Sequence, residues 1–141
     1  MGRREGHTGL EPSCAALVVC DYVHTDPVSG RFAVLGSFQE IVADEFPVTY
    51  PNLGIYVALS DGRGVCTISL RLIDVDEDKT PVLDEASEAD LSNPQDLFEF
   101  GVNIPDVPFD EPGIYRVQLM VDGATIVERS IKLSLAEFDQ E

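Results

Sequence analysis

The residues of this chain that could do chemistry are mostly acids, and their tightest grouping is Asp74-Val-Asp-Glu-Asp78. Carboxylates at alternate positions, with Thr80 and Glu85 beyond, have the spacing of oxygen-rich loops that hold calcium. Read against the helix–loop–helix calcium template, Glu85 falls at the last liganding position. Lys79 then stands where glycine must make the sharp turn, and Pro81 interrupts the next positions of the loop. The plainer reading of Asp76-Glu-Asp-Lys79 is a solvated turn, because runs of charge are usually solvated. Calcium binding by Asp74–Asp78 stands as the alternative.

His24 and Asp26 form the second candidate, a His-x-Asp pair beside Asp21 that could orient a proton or contribute to a zinc site. A hydrolase-type centre would have to be built on His24, since the other histidine, His7, lies in the first dozen residues. One histidine without a second ligand makes a poor metal site, and a turn histidine is the simpler account. The chain contains no G-x-S-x-G, no phosphate-cradling glycine loop and no cysteine beside a histidine. No catalytic, cofactor or metal residue is therefore assigned, and a non-enzymatic protein is expected.

Cys14, Cys20 and Cys66 lack metal spacing. Cys14 and Cys20 in one strand would stand about 20 Å apart, too far to bridge. A Cys20–Cys66 bridge across sheets is conceivable, but small buried thiols in a reducing compartment are the favoured reading. The seven apolar residues Cys14 to Cys20 fall short of a membrane span, and the start of the chain lacks the pattern of a secretory signal. A cytoplasmic location is expected.

The formal net charge of −17 repels phosphate backbones and anionic lipid, so neither nucleic acid nor membrane is expected as a partner. A basic partner would be attracted, although solubility alone also explains an acidic surface.

The elements that must position these residues are strands. Pro112-Gly-Ile-Tyr-Arg-Val-Gln-Leu-Met-Val and Ala124 to Leu135 flank Asp122-Gly123, the sequence signature of a type I′ hairpin. Tyr115, Val117, Leu119 and Val121 share one face of the first strand. Arg129 interrupts the apolar face of Val127, Ile131, Leu133 and Leu135, which predicts a bulge or an edge there. Earlier strands are expected over 15–23, 31–38, 54–60, 65–74, 81–89 and 97–104. The prolines at 47 and 51 predict an extended crossover over 46–53, and those at 105, 108 and 112 predict a connection. The stretch from Asp74 to Asp90 holds eight acids and one lysine, which marks the strand over 81–89 as an exposed edge. Glu111-Pro-Gly-Ile-Tyr115 has the pattern of a tyrosine corner, a structural device.

No helical period persists, so the chain is expected to be all-β: a single antiparallel two-sheet β-sandwich, immunoglobulin-like, of about eight strands. Residues 1–13 read as a flexible tail, 14–136 as the domain and 137–141 as a frayed end.

Cys20-Asp-Tyr-Val23, Ser29-Gly-Arg-Phe-Ala-Val-Leu-Gly-Ser-Phe38, Glu45-Phe-Pro-Val48, Leu70-Arg-Leu-Ile-Asp-Val-Asp76 and Pro112 to Gly123 together resemble a family of small bacterial proteins classed as a domain of unknown function. The resemblance covers about residues 16–135. It implies a small β-sandwich and carries no catalytic residue with it. The function expected is that of an interaction or assembly module, presenting loops or an edge strand to a protein partner or to a second copy.

Overall fold

The computed structural model describes residues 12–62, 64–75, 81–93 and 95–137. Most of the expected tail (residues 1–11) and of the expected frayed end (138–141) falls outside them. Among the described residues there are nine strands and no helix: β1 (Ser13–Thr25), β2 (Phe32–Ser37), β3 (Glu40–Ala43), β4 (Val48–Ser60), β5 (Val65–Asp74), β6 (Leu83–Asp90), β7 (Phe98–Phe109), β8 (Gly113–Val121) and β9 (Ala124–Leu135). They form a four-stranded sheet ordered β2-β1-β4-β7 and a five-stranded sheet ordered β3-β9-β8-β5-β6.

The hairpin at Asp122-Gly123 sets the centre of the larger sheet. Both residues have positive φ, 49° and 89°, as a type I′ turn requires. Asp122 also locks the turn to β5: its backbone N–H donates to Thr67 O, and its Oδ1 accepts from Thr67 N–H at 2.9 Å. The alternation in β8 buries Tyr115, Val117, Leu119 and Val121. The Tyr115 hydroxyl donates to the Glu111 carbonyl at 2.9 Å, the expected corner, while its ring meets Phe109 edge-on.

Four strand expectations change. The count is nine rather than about eight, and the pairing is not wholly antiparallel, because β3 runs parallel to β9. Ile41 and Ala43 are buried there, and the acids around them concealed so short a strand. The bulge in β8–β9 lies opposite Leu119 and Met120, away from Arg129. Arg129 instead stays in register opposite Val117, and its Nε donates to Leu17 O across the gap between the sheets. β4 begins at Val48 and runs through Pro51, while β7 continues through Pro105 and Pro108. A proline breaks a ladder only where its missing N–H is needed. β7 is an edge strand, and the pairing of β4 with β1 ends at Gly54, short of Pro51.

At the level of Pro51 and Asp106 both strands change the parity that faces inward. Leu53, Ile55, Val57 and Leu59 are inside on one side of it, and Val48 and Tyr50 pack inward on the other. On β7 the inward set changes from Phe98, Phe100, Val102 and Ile104 to Val107 and Phe109. Asp106 takes φ 53° at this point, and the register between the strands is kept.

The two sheets share one core. Leu17, Leu53, Ile55, Val57 and Leu59 from the first meet Ile68, Leu70, Leu72, Leu119, Ile131 and Leu133 from the second. Each such side chain contributes about 1.5–3 kcal/mol through its removal from water. No buried polar residue occurs among the described residues.

The far end of the β1–β2 hairpin folds over the outer face of its own sheet. A Cβ on Gly101 would lie 2.4 Å from Val23 Cγ1, and one on Gly54 would lie 2.9 Å from Cys20 Sγ. Glycine at both positions lets the strands approach this closely.

Candidate functional site

His24, the residue on which a hydrolase-type centre would have to be built, is exposed near the end of β1, paired across the hairpin with Ala33. Asp26 accepts from Ser29 N–H at 2.7 Å, so its carboxylate organises the turn. The bonds from Ser29 hold the Asp26 carboxyl below its ordinary pKa, with a smaller contribution from His24. Asp21 is engaged elsewhere. Of Asp74–Asp78, Asp74 closes β5 and Val75 comes after it, while Asp76, Glu77 and Asp78 lie outside the described residues, as do Lys79 and Thr80. Glu85 is on β6. Among the described residues no group of three or more histidine, cysteine or acidic side chains converges as a metal site would require.

The three cysteines are unpaired, with Cys20 and Cys66 buried and Cys14 half-buried. Burial pushes each thiol up, which disfavours the thiolate that nucleophilic chemistry needs.

Two arrangements escaped the sequence reading. The first is a polar network where β1 crosses its sheet. Asn103 on β7 accepts from Val23 N–H at 2.9 Å and donates to Val23 O at 2.8 Å, taking the place of a neighbouring strand. Asn52 donates to Asn103 Oδ1 and to Asp21 O, and the Tyr50 hydroxyl donates to the Asp21 carboxylate. Burial, then the bond to Asp21, pushes the Tyr50 phenol up to about 12. These groups are turned on one another across β1, β4 and β7, which makes the network a brace for the hairpin. Asparagine inside a strand is uncommon and was the available signal.

The second is a cleft of about 570 Å³ between β6 and β7, the edge strands on one side of the molecule. Ile68 and Leu70 form its floor. Phe98, Phe100, Val102 and Ile104 line one wall, each half-buried, with the rings of Phe98 and Phe100 5.9 Å apart. The other wall is β6, whose inward positions are Leu83, Glu85, Ser87 and Ala89, opposite Leu72, Leu70, Ile68 and Cys66. Two of these four inward positions are polar, and both are exposed. An edge strand that sends a carboxylate toward apolar residues leaves its sheet unsealed there.

The backbone of β6 is open as well. Thr67 directs its N–H and C=O to Asp122, away from β6. Its partner Glu88, and by alternation Asp84 and Ala86, therefore point their backbone groups outward from the sheet. The side chains of Asp84, Glu88 and Asp90 make this edge acidic, with Arg71 standing 3.7 Å from Asp84.

Sequence comparison matches residues 15–134 to the model of a family of unknown function, DUF6941. No curated protein matches the chain. Among solved structures, the chain is similar to part of the crystal structure of a β-glucosidase from Listeria innocua in complex with isofagomine, with 13% identity and a TM-score of 0.45. That likeness covers 87% of this chain and 16% of the other.

Proposed function

The chain belongs to DUF6941, a family of unknown function, and on that premise we propose that it is a non-enzymatic interaction module, an immunoglobulin-like β-sandwich acting in the cytoplasm. The shared core and the tyrosine corner support the sandwich, and three unpaired thiols fit a reducing compartment. The observation that carries the reading is the cleft between β6 and β7. It combines an apolar floor and one apolar wall with an unpaired strand edge, the two things by which a sheet recruits a segment of another protein. Its volume also falls in the usual range for a binding site, about 300–1,000 Å³.

Selection from a random peptide library displayed on phage tests this, run in parallel on the native protein and on Ser87→Trp. Ser87 is exposed on β6 and faces the cleft, so tryptophan fills the opening without displacing core. Peptides enriched on the native protein and lost on the variant are the expected result. No enrichment, or equal enrichment on both, overturns the reading.

A further inference from the structure

We propose that the partner of this cleft is an extended segment of another protein, alternating apolar and basic residues, which adds to β6 as a further strand. This rests on the interaction reading above and names the chemistry of what binds.

Three observations select that occupant. β6 presents the free backbone groups of Asp84, Ala86 and Glu88 in strand geometry, and it contains no proline. The facing edge β7 carries Pro105 and Pro108, which remove donors, and a positive-φ Asp106. Along the cleft itself β7 is free of proline from Phe98 to Ile104, so β6 is preferred as the edge that is uninterrupted over its whole length.

The side-chain pattern then sets the sequence of the guest. Residues on an added strand alternate between the cleft and the outer face. Those facing in meet Phe100, Val102 and Ile104, with Glu85 beside them; those facing out lie next to Asp84 and Glu88. Apolar side chains fit the first row and cations the second, with one further cation in reach of Glu85.

Charge also rejects the competing occupant. A second copy pairing β6 to β6 in antiparallel would set acid beside acid, as Asp84 against Asp90 of the other copy when the pairing centres on Ser87, in chains that each carry −17. Like charges directly opposite one another destabilise a strand pair.

The test uses labelled peptides matching β6 in length, 8 residues, with fluorescence anisotropy as the readout. One alternates valine and lysine, one alternates valine and glutamate, and one carries the valines and lysines in two blocks. Two further versions of the alternating valine–lysine peptide are N-methylated, one on the valines and one on the lysines. Only one of those two rows of N–H groups faces β6 in an added strand. The expected result is binding of the valine–lysine peptide that weakens as salt rises, no binding of the glutamate version and weaker binding of the block version. One methylated version should bind as the parent does and the other about tenfold or more weakly, a loss set by the missing bonds to the edge. Glu85→Gln should weaken binding about tenfold, as for a lost charge-assisted bond, with its melting curve recorded alongside. Ala86→Pro, which removes an outward N–H that β5 does not use, should do the same.

Equal binding of both methylated versions overturns strand addition. Equal binding of the alternating and block peptides overturns the pattern, and a concentration-dependent dimer in sedimentation overturns the choice of a foreign partner. If the phage selection enriches cleft-dependent peptides that are neither basic nor alternating, the interaction reading stands and this assignment falls. If that selection enriches nothing, both fall.

Discussion

Tyr115 and Tyr50 place the same hydroxyl in two settings with different consequences. Tyr115 is buried and donates to the Glu111 carbonyl. Removing that hydroxyl in Tyr115→Phe should cost about 1 kcal/mol, read as a lower urea midpoint at an unchanged slope. Tyr50 donates to a carboxylate, and its phenol is raised from 10.0 to about 12; Tyr56, which donates to Glu99, is raised to the same value. Between the two pH values the folded chain keeps protons that the unfolded chain gives up. The stability tied to these groups is therefore fully present below pH 10 and is lost as the pH rises through about 12. The urea midpoint should begin to decline above the ordinary thiol value of 9.0, where the raised cysteines first contribute, and steepen above the ordinary phenol value, with a shallower decline there in Tyr50→Phe. A midpoint indifferent to pH over this range would contradict the assignment. The Tyr115 corner was legible because its pattern is local, Glu111-Pro-Gly-Ile-Tyr115. The Tyr50–Asp21 bond was not, because its partners are 29 residues apart and meet only once β1 has bent over its sheet.

Strands that approach closely are sensitive to single atoms. Gly101→Ala puts a Cβ against Val23, and overpacking of this kind costs typically about 1–3 kcal/mol. Val23→Ala in the same chain should return part of that loss, and the coupling can be measured in a double-mutant cycle. Asn103→Ala leaves the N–H and C=O of Val23 unpartnered under a residue only 3% exposed, with an expected cost of about 1–3 kcal/mol. Faster exchange of the Val23 amide hydrogen would confirm the cause. At this scale the sequence was informative where a signal was local and periodic: Asp122-Gly123 gave its hairpin, and the acids over 81–89 marked an edge that is β6. It misled where a rule depends on neighbours. Proline argues against a strand only if the lost N–H had an acceptor, and nothing along the chain says that β7 lies at an edge. The parallel pairing of β3 with β9 joins residues about ninety positions apart, as Ile41 with Leu133, and no periodicity encodes such a match.

Over the whole molecule the charge of −17 is a standing repulsion that native contacts must outweigh. Screening it with about 0.5 M salt, where the Debye length is only a few Å, should raise the melting temperature. A gain of about 1 kcal/mol would appear as roughly 2–8 °C, and a melting temperature that falls with salt would mean that attraction between surface charges dominates. The cleft was only half legible. Phe98, Phe100, Val102 and Ile104 alternate along the sequence and so fall on one face of a strand, but which strand stands opposite them is a matter of sheet order. That order also governs when the chain can fold. The middle of the larger sheet is occupied by β8 and β9, the last strands made, while β3 and the β5–β6 pair wait on either side for them. On the ribosome the N-terminal three-quarters of the chain carries every strand of the smaller sheet but only disconnected pieces of the larger one that must cover it. A nascent chain arrested at Asp110 should be digested as readily as an unfolded one, with protection arriving only after Leu135 has cleared the exit tunnel.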